Sequence, residues 1–110
     1  MAYDERLAER IRDQIGGDPA ATEKKMFGGL AFLVAGNMAV AASGQGGMMV
    51  RVDPAESADL VAATGAEPME MRGRAMPGWL RVVSEDVASD TELGAWVRRG
   101  MGFARSLPPK

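Results

Sequence analysis

The sequence predicts an α+β domain: an antiparallel sheet of about six strands with helices packed on it, in the order α, four strands, α, two strands, α. Three observations carry this expectation. Apolar residues recur every three or four positions near both ends of the chain, the spacing of one helical face. Between residues 24 and 51, short apolar runs are broken by glycines at hairpin intervals. Two capping sequences, Asp53-Pro54-Ala55-Glu56 and Ser89-Asp90-Thr91-Glu92, mark helix starts after strand-like runs.

Taken in order, Tyr3, Leu7, Ile11 and Ile15 form one narrow apolar stripe on a first helix that Gly16-Gly17 ends. Lys24-Lys25-Met26-Phe27 reads as the first strand, and Gly28-Gly29 as the turn after it. Two apolar runs, Leu30 to Ala35 and Met38 to Ala42, flank Gly36-Asn37, a pair that tolerates the positive φ of a primed hairpin turn. Both faces of that hairpin are apolar, so it is expected to be central and covered. Ser43-Gly44-Gln45-Gly46-Gly47 is a loose turn rather than a phosphate-binding loop: Met49 stands where a dinucleotide fingerprint needs a third glycine, and a strand, Met48 to Val52, follows. The second helix runs from Asp53 to about Thr64 with Gly65 as its cap, and its small side chains imply close packing on the sheet. Pro68 to Met71 reads as a short edge strand, Arg72 to Gly78 as a basic loop, and Trp79 to Val83 as the last strand. On the final helix Leu93, Trp96, Val97, Gly100, Ala104 and Leu107 share a face, with Phe103 beside it.

At 110 residues the chain is expected to form one domain with a real core. It holds neither cysteine nor histidine. The commonest general base, the strongest side-chain nucleophile and the principal zinc ligands are therefore missing together. Its acidic residues sit largely where helix capping and solvation explain them. The expectation is a protein that is not an enzyme and uses no metal or cofactor. No signal-peptide pattern and no bilayer-spanning apolar run is present, so a cytoplasmic protein that avoids membranes is expected.

Net charge is −2, which weakens a nucleic-acid reading, yet residues 24–51 and 72–81 hold six basic side chains and no acidic one. A locally positive sheet or sheet rim follows from that distribution. Nine methionines are also present. Met26 and Met38 read as core, whereas Met48, Met49, Met69, Met71 and Met76 fit either a core or an adaptable surface.

Taken together, Lys24-Lys25-Met26-Phe27-Gly28-Gly29, Gly36-Asn37-Met38, Met49-Val50-Arg51-Val52, and the spaced set Met71, Gly73, Arg74, Met76, Gly78 and Trp79 resemble the N-terminal domain of the TfoX/Sxy family. The closing stretch, Ala95-Trp96-Val97 and then Phe103 to Lys110, is similar to single-domain members. The resemblance implies a bacterial α+β domain with an antiparallel sheet and no catalytic residue to carry over. It also implies a part in transcription regulation, since the family's named members are competence co-activators working with the cyclic-AMP receptor protein. Those regulators carry a second, helical domain that this sequence lacks, so a stand-alone N-terminal domain is expected.

The functional expectation is a regulatory or protein-interaction module whose surface comprises Lys24, Lys25, Arg51, Arg72, Arg74, Met76 and Trp79. The alternatives are direct nucleic-acid binding by the same surface, or small-ligand sensing between sheet and helices. The protein is expected as a monomer, or as a homodimer paired through an exposed edge near Met69 to Met71.

Overall fold

The computed structural model describes residues 3–26, 28–71 and 73–109. Along the chain lie α1 (Glu5–Ile15), β1 (Ala21–Met26), β2 (Gly29–Val34), β3 (Asn37–Ala42) and β4 (Met48–Arg51). A 3₁₀ turn (Pro54–Glu56) then leads into α2 (Ser57–Ala63), followed by β5 (Glu67–Met71), β6 (Arg74–Val82), a second 3₁₀ turn (Ser84–Val87) and α3 (Asp90–Ser106). This is the expected α+β class. The six strands form one open sheet in the order β1-β2-β3-β4-β6-β5, with every neighbouring pair antiparallel.

Register sorts the side chains of the sheet into two faces, because residues paired across strands share a face. One row runs Glu23–Phe32–Val40–Val50–Leu80–Pro68. The next row runs Lys24–Ala31–Ala41–Met49–Arg81–Glu67 on the opposite face. The core takes Phe32, Val40, Val50 and Leu80 from the first row and nothing from the second. Leu7 and Ile11 of α1, Leu93, Val97 and Met101 of α3, and the half-buried Leu60 and Val61 of α2 all join that one core. The helices therefore cover one face only. The β2–β3 hairpin is interior, as expected, but its second face carries no helix among the described residues.

Local chemistry sets the helix ends. Asp4 Oδ1 accepts from the N–H groups of Arg6 and Leu7, and Gly16 closes α1 at φ 70°. Ser89 and Glu92 make half of the expected capping box: the Glu92 N–H donates to Ser89 Oγ, while the Glu92 carboxylate accepts from the Ser89 hydroxyl in place of its backbone N–H, each at 3.1 Å. Gly100 lets α3 lie against β3, since a Cβ there would stand 2.5 Å from the Ala39 carbonyl oxygen. On α2, Thr64 rather than Gly65 makes the cap, its hydroxyl donating to Leu60 O at 2.7 Å. This helix buries no residue fully, so its packing is looser than its small side chains implied.

Three strand boundaries differ from the sequence reading. The central hairpin turns at Ala35-Gly36, with φ values of 51° and 86°, one residue before Gly36-Asn37. Asn37 instead begins β3, where it is 2% exposed, and its Nδ2 donates to Pro108 O at 2.9 Å. A buried amide needs such a partner. The first strand begins earlier than expected, at Ala21. The expected basic loop is mostly strand, because Gly73 at φ 79° closes a tight turn and Arg74 already pairs with Met71. Phe27 and Arg72 lie outside the described residues.

The methionines also sort by face. Met48 is fully buried in the core, whereas Met26 and Met38 are half-buried on the helix-free face with Met49. The core reading of Met26 and Met38 is corrected: Met26 falls on the Lys24 face of β1, and the register shift beside Phe32–Leu33 sets Met38 across from Leu33, off the face that Val40 takes. Among the described residues no helix is long and apolar enough to cross a membrane.

Candidate functional site

Gly78 shapes the site. It sits within β6 at φ 87°, its carbonyl accepts from Val52 N–H at 2.8 Å, and its N–H donates to Ser57 Oγ at 3.0 Å. Those bonds tie the start of α2 to β6 and fix the strand on either side of the glycine. The β4–β6 register then sets Trp79 directly across from Arg51. The Arg51 guanidinium carbon lies 5.1 Å from the Trp79 ring centre and 5.8 Å from that of Phe103 on α3. Both distances are within cation–π range.

Beside Trp79 a groove of about 410 Å³ separates the Pro54–Val61 segment from the β5–β6 hairpin. Pro54, Ala58 and Val61 line one wall, and Pro68, Met76, Pro77 and Trp79 the other. Proline walls are stiff and bring no N–H that must be satisfied when a guest covers them. Among the described residues no charged side chain lines the groove, and the one hydroxyl there, Ser57 Oγ, already accepts from Gly78. Such a cleft buries an apolar side chain, with Met76 adapting its shape and the Arg51–Trp79 stack at hand for a polar or anionic neighbour.

The structure brings together Arg51, Met76 and Trp79 of the expected surface. Arg74 is exposed at the start of β6, two residues before Met76. Lys24 and Lys25 do not belong to this site. They lie on β1, four strand spacings from β6, roughly 19 Å away at about 4.8 Å per strand. They also point to opposite faces, Lys24 paired with Ala31 and Lys25 with Leu30. A continuous positive sheet does not form either, because Glu23, Glu67 and Glu70 are strand residues. Arg81 is occupied structurally: its guanidinium donates to Gln45 Oε1, Gln45 O and Gly46 O, clamping the β3–β4 loop.

Sequence reasoning missed the proline walls. Pro54 read only as a helix start and Pro77 only as part of a loop. The Pro77-Gly78-Trp79 run was the available signal, since a glycine beside an aromatic permits the close backbone approach seen here.

The clearest electrostatic couplings lie in the helical layer. Arg12 grips Glu23 with both Nε and Nη2, the latter at 2.9 Å, and holds that carboxyl below its ordinary range. Asp18 is likewise lowered, first by the Ala20 N–H and then by Arg105. Arg99 meets Glu56 at 3.5 Å and Arg10 meets Asp90 at 3.1 Å. A second cleft, about 350 Å³, opens between α2 and α3 and is lined by Leu60, Val82, Asp86, Trp96 and Arg99 among others. Among the described residues no three acidic, histidine or cysteine side chains cluster as metal ligands would.

No curated protein and no solved structure matches the chain. A family model does: that of the TfoX N-terminal domain, over residues 13–104. The matched span begins in the last turn of α1, takes in the whole sheet and every residue of the groove, and ends near the close of α3. The chain belongs to the TfoX N-terminal domain family.

Proposed function

We propose that this domain is a non-enzymatic regulatory module that binds a protein partner through the proline-walled groove and the Arg51–Trp79 stack beside it. The observation that carries the reading is that stack bordering a groove whose described lining holds no charge. Tryptophan and arginine are the side chains that most often dominate protein–protein binding energy, and an apolar pocket is where they act. Membership of a family whose named members are transcriptional co-activators agrees with a part in regulation by contact. The groove offers a guest burial and a cation.

Protein is preferred over nucleic acid as the partner because the cations are scattered. Lys24 and Lys25 diverge across the sheet, Arg81 is clamped on a loop, and Arg51 is stacked on aromatic rings. A phosphate backbone is tracked by a continuous basic groove.

The test is capture from host lysate by the tagged full chain, with and without nuclease, beside Trp79→Ala and Arg51→Glu. The expected result is a protein partner that survives nuclease and is lost about tenfold or more in Trp79→Ala. Arg51→Glu, which retains the groove, should also weaken capture. Equal capture by both folded variants, or recovery of nucleic acid alone, overturns the reading.

A further inference from the structure

The part of the helix-free face around Met26, Met38 and Met49 is unused by the groove reading, and its composition is unlike that of an ordinary solvated face. Ala31 and Ala41 are 1% and 6% exposed there although no helix among the described residues lies over them. The half-buried side chains of Met26, Met38 and Met49 enclose them around a small pit of about 40 Å³. Leu33, paired with Met38, extends the same apolar surface. Four large apolar side chains thus stand together on a face where a solvated sheet would alternate to polar residues.

We propose that this face is the interface of a symmetric homodimer, with two copies packing sheet against sheet. The argument lies in the order of the row Lys24–Ala31–Ala41–Met49–Arg81–Glu67 across the six strands. A two-fold axis between the sheets, parallel to the strands, lays this row over its own reverse. Each Lys24 then meets Glu67 of the other copy, Met49 meets Ala41, and Arg81 meets Ala31. The row is self-complementary: a cation and an anion at its two ends, large opposite small in its middle. Isologous packing asks for that property of a surface.

Size agrees. Six strands at about 4.8 Å and five residues at about 3.3 Å give a face of roughly 480 Å² in projection. Both copies together, with side-chain relief, reach the approximately 1,000 Å² that a specific interface needs. Edge pairing is the poorer route to the same dimer. Pro68 removes a donor from β5, and β1 presents the charged run Glu23-Lys24-Lys25 at the other edge.

The test is sedimentation of the full chain across a concentration series, with thermal melts to confirm folding. Wild type is expected to dimerise, and Met38→Glu, at the middle of the apolar surface, to be monomeric. Lys24→Glu and Glu67→Lys change exposed residues and leave the fold intact. Each places like charges together twice per dimer and should raise the dissociation constant by about 25-fold, roughly fivefold per contact. The double variant Lys24→Glu/Glu67→Lys exchanges the charges and should restore wild-type dimerisation. A wild type that stays monomeric at millimolar concentration, a Met38→Glu dimer, or a double variant that fails to recover each overturns the proposal.

Discussion

Arg51 and Trp79 face each other across the β4–β6 ladder, and the arginine reaches a second ring, Phe103, on α3. One cation therefore links two strands and the last helix. Arg51→Ala should cost about 0.5–1 kcal/mol, the worth of a partly exposed cation–π contact. Arg51→Lys should recover only part of it, because an ammonium lacks the flat guanidinium surface. Urea unfolding of the three proteins checks both statements.

Two glycines of α3 should respond in opposite ways. Gly100→Ala drives a methyl to 2.5 Å from Ala39 O and 2.7 Å from Val40 Cγ1, and should destabilise by about 1–3 kcal/mol. Gly102 has nothing within 4 Å of its Cβ position. Gly102→Ala should therefore stabilise by about 0.5–1 kcal/mol through helix propensity alone. Their melting temperatures should move apart, on either side of wild type.

Ala35 carries the one positive φ found on a non-glycine among the described residues, and it is exposed. An L-residue with a Cβ pays about 1 kcal/mol or more in this region, and asparagine tolerates it best. Ala35→Asn should raise the melting temperature, while Ala35→Val should lower it. Equal melting of the two would show that the turn is not held in this geometry.

Acid should loosen the molecule at its helical side. The Glu23 and Asp18 carboxyls sit below their ordinary values of 4.5 and 3.8. A depressed carboxyl contributes stability that is fully present above its unfolded value and is lost as pH falls through its folded one. Glu23→Gln should therefore be less stable than wild type at neutral pH. The gap should narrow below pH 4.5 and close once Glu23 is protonated in the folded wild type. Paired pH titrations of stability measure that convergence.

The start of α3 was legible because its chemistry is local, Ser89 capping the Glu92 N–H three residues away; Asp53 likewise accepts from the Ala55 N–H, but what it caps is the 3₁₀ turn ahead of α2. The hairpin was legible in kind but not in register. Gly36 can serve with Ala35 or with Asn37, and what decides is a partner at Pro108, far along the chain. Which way Met26 points depends on the face the helices choose, and Met38 is turned off the Val40 face by a register shift between β2 and β3. The groove was the least legible feature, because Pro54, Val61, Pro68 and Trp79 meet only after β6 has inserted between β4 and β5. Lys24 and Lys25 show the converse error: neighbours in sequence, they diverge because successive strand residues face opposite ways.

The insertion of β6 beside β4 also has a kinetic consequence. Strands β1 to β4 pair strictly with their sequence neighbours, and β5 pairs with β6, so the sheet is two locally wired pieces. A single seam, where Val50 meets Leu80, joins them across a long stretch of chain. Loop-closure entropy falls chiefly on that seam. The four-strand meander and the hairpin can therefore each form early, and their docking, sealed when α3 closes over the core, becomes the step that commits the chain to its native state.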